Sequence, residues 1–116
     1  MTSPTQIKLR RAENLLEIKF EDGTEISLPA EYLRVHSPSA EVQGHGPGQQ
    51  VLIAGKKQVA ITAIVPTGNY AIRLSFSDGH DTGIFSWEYL QRLGREQPIR
   101  WRRYLRLLEE AGLTRD

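Results

Sequence analysis

The amino-acid sequence predicts an α+β domain: an antiparallel sheet of hairpins with about five to seven strands, short helical turns and a C-terminal amphipathic helix. Three observations lead to this prediction. Apolar residues alternate with polar ones in several short runs, which is the pattern of half-buried strands. Turn signals that contain glycine, such as Asp-Gly, separate these runs. Apolar residues then recur at helical spacing towards the C-terminus, so strands precede the main helix.

The first 35 residues read as three strands and a helical turn. Residues 6–10 and 15–20 place apolar side chains at alternate positions. A Glu-Asp-Gly turn at 21–23 leads into a third strand at 24–29, which a proline ends. Residues 30–35 follow as a short helical turn. This half of the chain is therefore predicted to contribute a three-stranded hairpin unit.

The remainder of the chain repeats this order before it becomes helical. Further strands are predicted at 50–55, 58–65, 70–76 and 80–85. Two helices are predicted after them, at 86–94 and 98–112. The second helix carries one apolar stripe at i, i+3, i+4, i+7 and i+10, formed by Trp101, Tyr104, Leu105, Leu108 and Ala111.

Two segments of the chain resemble each other, residues 16–34 and residues 72–92. A Phe-x-Asp-Gly sequence recurs at an offset of 56 residues, and a Glu-Tyr-Leu triplet recurs at an offset of 57. A structural repeat and an independent reuse of hairpin-plus-helix patterns both explain the match. Asp22 and Asp78 precede glycine in the two turns, so we interpret them as turn residues and not as a catalytic carboxylate pair.

The composition excludes several classes of function. Hydrophobic residues make up 39% and charged residues 25%, as in an ordinary globular domain, and the net charge of +1 gives no case for nucleic acid or membrane binding. The absence of cysteine excludes disulfides and thiolate zinc sites. No secretory signal and no run of about 18 apolar residues is present. The sequence therefore predicts a cytoplasmic location.

The residues that could carry chemistry form no catalytic constellation, so the sequence predicts a protein that is not an enzyme. His36, His45 and His80 could hold a metal such as iron, although their spacing is not that of a helical ligand pair. This metal-binding protein remains an alternative. Ser37 or Ser39 beside His36 could form a nucleophile and a base, but adjacent residues rarely point at each other.

The arginines of the C-terminal helix support a second alternative. Arg100, Arg102, Arg103 and Arg106 surround two aromatic residues, and such a pattern can bind nucleic acid through phosphate contacts and stacking. The aromatic residues share the apolar stripe, however, which assigns them to the core. We therefore interpret the arginines as a solvated face and do not expect a nucleic-acid partner.

The segments "EYLRV", with the loop that follows it, and "SFSDGHDTGIFSWEYL" resemble the gamma-butyrobetaine hydroxylase-like N-terminal domain family. The resemblance covers roughly residues 5–95 and indicates a small stand-alone bacterial member. It implies a single domain overall, with the family domain at 1–95 and a C-terminal helix at 96–116 that packs on it.

The resemblance also implies where the family's structural zinc site would lie. Its three cysteines fall on Ser37, Ser39 and Val42, and its histidine falls on His80. Hydroxyl groups and an aliphatic side chain do not replace thiolates as zinc ligands. We therefore expect no cofactor, with iron held by histidines as the alternative left open.

The family is similar to a segment attached to some Mrp-type P-loop ATPases that carry iron–sulfur clusters. This similarity implies a non-catalytic binding or adaptor domain that works through a protein partner, such as an iron–sulfur carrier or an oxygenase-type protein. The family geometry would bring the 36–48 loop to the segment around His80. Arg34, His45 and His80 are the candidate contact residues, and the chain is expected to be a monomer or a homodimer.

Overall fold

A computed structural model describes residues 2–43, apart from the side chain of Ala40, and residues 51–116. Six strands form two antiparallel three-stranded sheets, in the orders β1-β2-β3 and β4-β5-β6. The strands are β1 Pro4–Arg10, β2 Leu15–Phe20, β3 Glu25–Pro29, β4 Ile61–Thr67, β5 Ala71–Phe76 and β6 Gly83–Ser86. The predicted α+β class and hairpin arrangement are confirmed, and the hairpins divide between two sheets.

Four helices connect and follow the sheets. They are α1 Ala30–Val35, α2 Ala40–Gln43, α3 Trp87–Arg95 and α4 Gln97–Glu110. The hydroxyl of Ser86 accepts the backbone N–H of Tyr89 and so caps the start of α3. A proline in the first turn of α4 suits a position where no N–H is needed.

The strand predicted at 50–55 is wrong for residues 51–55, which belong to neither sheet. The segment lies against the C-terminal tail. The N–H of Gly55 donates to the carbonyl of Thr114 at 3.0 Å, and the N–H of Lys57 donates to that of Arg115 at 2.9 Å. The apolar run therefore packs against α4 and the tail instead of extending a sheet.

One hydrophobic core joins the two sheets with α1 and α3. The alternating apolar side chains of β2 and β5 are buried, as are Tyr32 and Leu33 of α1 and Leu90 and Leu93 of α3. A smaller cluster forms where Val35 meets Tyr104 and Leu108 of α4. The buried stripe of α4 is narrower than predicted: Leu105 and Ala111 are exposed, because α4 packs on the domain through the face that carries Tyr104 and Leu108.

The structure confirms the internal repeat. Leu16 pairs with Leu28 in the first sheet, and the residues at the same positions of the second copy, Ile72 and Phe85, pair in the second sheet. Each β-β-β unit ends in a helix, α1 or α3. The glycines of the two Asp-Gly turns have φ values of 89° and 91°, which only glycine adopts readily. Two copies of one β-β-β-α unit therefore build the domain.

The two units bind each other through reciprocal hydrogen bonds. The hydroxyl of Tyr32 donates to the carbonyl of Leu93 at 2.7 Å, and the hydroxyl of Tyr89 donates to the carbonyl of His36 at 2.6 Å. Each tyrosine and each carbonyl occupies the same position in its own copy. Such an exchange of donor and acceptor is the property of a twofold interface, here within one chain.

Among the residues that the structure describes, no helix is long and apolar enough to span a membrane.

Candidate functional site

The histidine that follows the second Asp-Gly turn is buried at the centre of a polar cluster with one exposed member, Glu41. We call Ser37, Ser39, Glu41 and His80 the His80 cluster. The Nε2 atom of His80 lies 2.9 Å from the hydroxyl of Ser37 and 3.5 Å from that of Ser39. Its Nδ1 lies 2.8 Å from Oε2 of Glu41. A carboxylate only accepts, so Nδ1 carries a hydrogen, and Nε2 can accept the hydroxyl hydrogen of Ser37.

The second Asp-Gly turn fixes His80 from its backbone and brings two cations to one carboxylate. The Oδ1 atom of Asp78 accepts the N–H of His80 at 3.1 Å. Its Oδ2 accepts Arg34 Nε and Lys56 Nζ, each at 2.7 Å. Burial alone would raise the pKa of Asp78, but these hydrogen bonds, first that of Lys56 and then those of Arg34 and His80, hold it far below its usual range.

The Asp-Gly turn of the first unit has the same hydrogen bond as that of the second, but it lacks the charged and imidazole groups around it. Oδ1 of Asp22 accepts the N–H of Thr24 at 2.9 Å, as Asp78 accepts that of His80. The positions that correspond to Arg34, Ser37 and His80 hold Gln91, Gly94 and Thr24. The charged groups and the imidazole are therefore found at the Asp78 turn and not at the equivalent Asp22 turn.

The His80 cluster has the connectivity of a hydrolase triad without the access that hydrolysis needs. Serine, imidazole and carboxylate follow one another as in such triads. Ser37 is fully buried, however, and a Cβ atom on Gly83 would lie 2.3 Å from its hydroxyl oxygen. The carboxylate of Glu41 is the exposed end of the series, with 62% of its side chain accessible. The Ser37–His80 pair is packed against β6, so a substrate carbonyl cannot reach the hydroxyl of Ser37.

The nucleophile and base considered from sequence are not partners. His36 contacts the carbonyl of Tyr32 through Nδ1 at 2.9 Å, whereas Ser37 contacts His80. Arg34 and His80 are 8% and 5% exposed, so they organise the site from inside and offer little side-chain surface to a partner. His45 lies outside the described residues. Glu41 and Lys56 could not be identified as site residues from the sequence, since neither is a ligand position of the family motif and each acts on a residue far away in the chain.

The His80 cluster does not fit the zinc ion that the family resemblance implies. Zinc in structural sites binds four groups drawn from thiolate, imidazole and carboxylate. Here two neutral hydroxyls and the aliphatic Val42 stand at the thiolate positions, and the hydroxyls already contact the imidazole. Within the described ranges, no group of three or more His, Cys, Asp or Glu side chains could hold a metal. We therefore derive no role for zinc.

The geometry of the His80 cluster leads us to a prediction about the metal content of the purified protein. We expect the purified protein to hold no stoichiometric zinc or iron, and the Ser37→Cys/Ser39→Cys/Val42→Cys variant to hold about one zinc per chain. The Ser37–His80 and Ser39–His80 distances of 2.9 and 3.5 Å are near the roughly 3.6 Å between sulfur and nitrogen on one zinc ion. Glu41 would orient the imidazole.

Elemental analysis by mass spectrometry checks this prediction. The control adds His80→Ala to the three cysteines, which should reduce the bound zinc sharply. Zinc or iron near one equivalent in the wild-type protein would contradict our reading of the cluster.

A concave surface, the α1–α4 groove, lies beside the His80 cluster and is open to solvent. Its volume is about 520 Å³. The ends of α1 and α2 form one wall, the segment 51–53 a second, and one face of α4 the third. The lining residues are Val35, His36, Val42, Gln43, Val51, Leu52, Ile53, Glu96, Ile99, Arg100, Arg103, Tyr104 and Leu107.

The α1–α4 groove is electrostatically positive on the α4 side. Burial lowers the pKa of His36 most, the hydrogen bond at the Tyr32 carbonyl raises it, and the charges of Arg100 and Arg103 lower it further. Arg100 also donates through Nε to Glu96 at 2.7 Å. Two guanidinium groups thus act on the same partly buried imidazole.

The two aromatic residues beside the C-terminal arginines do not offer free ring faces to solvent. Tyr104 is buried, and its hydroxyl donates to the carbonyl of Ile53 at 2.6 Å. Trp101 is partly buried, with the guanidinium carbon of Arg115 5.2 Å from its ring centre. Arg106 pairs with Glu110 at 3.8 Å along the helix, as the solvated-face interpretation expects. The stacking geometry that single-stranded nucleic acid needs is therefore not offered by these two rings.

Comparisons with known proteins agree with the fold. The family model described as gamma-butyrobetaine hydroxylase-like, N-terminal, matches residues 7–91. Two proteins with NMR solution structures are 46% and 48% identical, with TM-scores of 0.87 and 0.86. The matches cover 100% and 99% of this chain and 91% and 86% of those chains.

A crystal structure from Acidithiobacillus ferrooxidans is also similar. That protein, of unknown function, is assigned to the DUF971 family. It is 40% identical with a TM-score of 0.67, over 79% of this chain and 92% of that chain. No curated protein matches the chain.

Proposed function

The chain belongs to the gamma-butyrobetaine hydroxylase-like N-terminal family, and on that premise we propose that it is a non-catalytic binding module that acts through a protein partner. The partner docks in the α1–α4 groove. The 36–43 segment, which includes His36 and Val42, forms one wall of this groove, so the predicted contact loop takes part through its groove side.

One observation carries this proposal: the reactive groups are enclosed while the concave surface is open. Ser37 and His80 bond to each other inside the domain. Ile99 and Val51, by contrast, line the groove with 68% and 49% of their surface exposed. Exposed aliphatic side chains in a concavity are a property of binding surfaces.

The partner that we propose is an iron–sulfur carrier or an iron-dependent oxygenase-type protein. The support is the family's similarity to segments that accompany such proteins. The chain contains no cysteine, so it would bind the partner's surface and supply no thiolate to a cluster.

A matched pair of variants tests the proposal. Ile99→Gln replaces an aliphatic side chain of the groove by a neutral polar one, and Ile84→Gln makes the same change at a 45% exposed isoleucine on β6. We expect proteins retained by the immobilised wild-type protein under mild conditions to fall at least roughly tenfold with Ile99→Gln and to change little with Ile84→Gln. Retention of no specific protein by the wild type, or equal retention by both variants, would contradict the proposal.

A further inference from the structure

The third wall of the α1–α4 groove is one continuous face of a regular helix. Glu96, the N-cap of α4, and the α4 residues that line the groove lie at i, i+3, i+4, i+7, i+8 and i+11, from Glu96 to Leu107. At about 1.5 Å per residue this face is roughly 16 Å long. The groove therefore has the length of three helical turns, which suits a peptide segment better than a compact small molecule.

Aliphatic side chains from two different walls face the groove. Ile99 projects from α4, and Val51 projects from the segment opposite, with Val35 and Val42 buried beneath them. A segment lying between the two walls would remove both exposed side chains from water. Removal of these aliphatic side chains from water is favourable only against other apolar groups, so the occupant needs aliphatic residues of its own.

The charges on the α4 wall define the polar part of the occupant. Arg100 and Arg103 line the groove against a single carboxylate, Glu96, which bonds to Arg100. In the described part of the chain, Arg103 forms no ion pair within 4.0 Å. An apolar or cationic occupant would desolvate these guanidinium groups without compensation. A carboxylate would form charge-assisted hydrogen bonds with them.

We infer that the α1–α4 groove receives an acidic, aliphatic segment of the partner protein. Its carboxylates bind Arg100 and Arg103, and its aliphatic side chains pack on Ile99 and Val51. This inference rests on the proposed function and adds the chemistry of the partner. The pKa of His36, which burial lowers most, is lowered further by the charges of Arg100 and Arg103, so both arginines act on the groove wall that His36 helps to form.

Synthetic peptides test the inference without knowledge of the partner. Three capped 12-residue amphipathic peptides share the same leucine positions and carry Glu, Gln or Lys at all other positions. We expect the Glu peptide to bind saturably and roughly tenfold more tightly than the Lys peptide, as measured by calorimetric titration at constant ionic strength. Arg100→Glu/Arg103→Glu should reverse the order of the two peptides. Arg102→Glu/Arg106→Glu, the same charge change on the exposed side of α4, should keep it.

The outcomes separate this inference from the proposal on which it rests. Equal binding of the Glu and Lys peptides, each weakened by Ile99→Gln, would overturn the acidic assignment and leave the groove as a docking surface. Binding that Ile99→Gln does not weaken, or a preference that both arginine double variants change equally, would overturn the inference. So would the absence of saturable binding of the Glu peptide. The Arg100→Gln/Arg103→Gln variant removes the two charges without reversing them and should abolish the preference for the Glu peptide. It provides the same test if the Arg100→Glu/Arg103→Glu variant fails to fold.

Discussion

Replacement of Asp78 by alanine is expected to lower the free energy of unfolding by about 3 kcal/mol. The change removes the carboxylate that accepts both Arg34 and Lys56, whose side chains are 10% and 24% exposed. Arg34 is then a mostly buried cation without compensation, since its Nη1 already has no hydrogen-bond partner among the described residues. The backbone N–H of His80 also loses its acceptor.

Asp22→Ala is the matched control, because Asp22 occupies the same position in the first unit. It accepts the N–H of Thr24 but forms no ion pair within the described part of the chain, so its loss should lower the free energy of unfolding much less than the loss of Asp78. Urea denaturation of the three proteins at neutral pH measures the difference. Equal losses for the two variants would mean that the cations contribute nothing to Asp78.

The ion pairs also predict an acid dependence whose sign follows from the depressed pKa of Asp78. In the unfolded chain this carboxyl titrates near 3.9, and in the folded chain well below that value. Its contribution to stability is therefore complete above about pH 4 and is lost as the pH falls towards the folded pKa. Asp78→Asn should reduce the slope of stability against pH below about pH 4.

Gly83→Ala is expected to cost about 2 kcal/mol, because β6 lies directly against the His80 cluster. The new Cβ would lie 2.3 Å from the hydroxyl oxygen of Ser37 and 3.1 Å from the ring of Phe85. Ser37 is fully buried, and turning its hydroxyl away would break the hydrogen bond to His80. Thermal and urea unfolding measure the loss.

A double-mutant cycle identifies the cause of that loss. Ser37→Ala removes the oxygen that the new Cβ would meet, so Gly83→Ala should cost at least about 1 kcal/mol less in that background. The equivalent contact of the other unit places Gly94 against Ile26, where a Cβ would lie 2.6 Å from Cγ2. Ile26→Ala should rescue Gly94→Ala in the same way. Strictly additive costs in both pairs would contradict close packing between the units.

Short sequence patterns correctly predicted the elements that contacts between neighbouring residues in the chain stabilise. The turn glycines, the helix at residues 30–35 and the hairpins of both units follow from residue type and spacing alone. Even the repeat is visible, since Phe-x-Asp-Gly fixes the same turn twice. The strand prediction fails at residues 51–55, because the backbone N–H of Val51 donates to Val42 and that of Gly55 donates to Thr114 in the C-terminal tail, and neither acceptor belongs to a sheet.

The candidate site was only partly predictable for the same physical reason. Ser37, Ser39 and His80 came from the family resemblance, and the structure places them together. Glu41 reaches His80 from a separation of 39 residues, and Arg34 reaches Asp78 from 44. No periodic pattern in the sequence indicates contacts between residues so far apart in the chain. The α1–α4 groove is built from three distant segments, so it exists only in the folded chain.

The central claim is that the Ser37–His80 pair holds the domain together, whereas the groove performs the function. Quantitative recovery of partner proteins by Ser37→Ala and by Ile99→Gln, each compared with the wild type and with its own stability, tests this claim most directly. We predict that Ser37→Ala loses about 1–2 kcal/mol of stability but keeps its partners. Ile99→Gln should keep its stability and lose its partners. The claim would be contradicted if Ser37→Ala abolished recovery while remaining folded and Ile99→Gln left it intact.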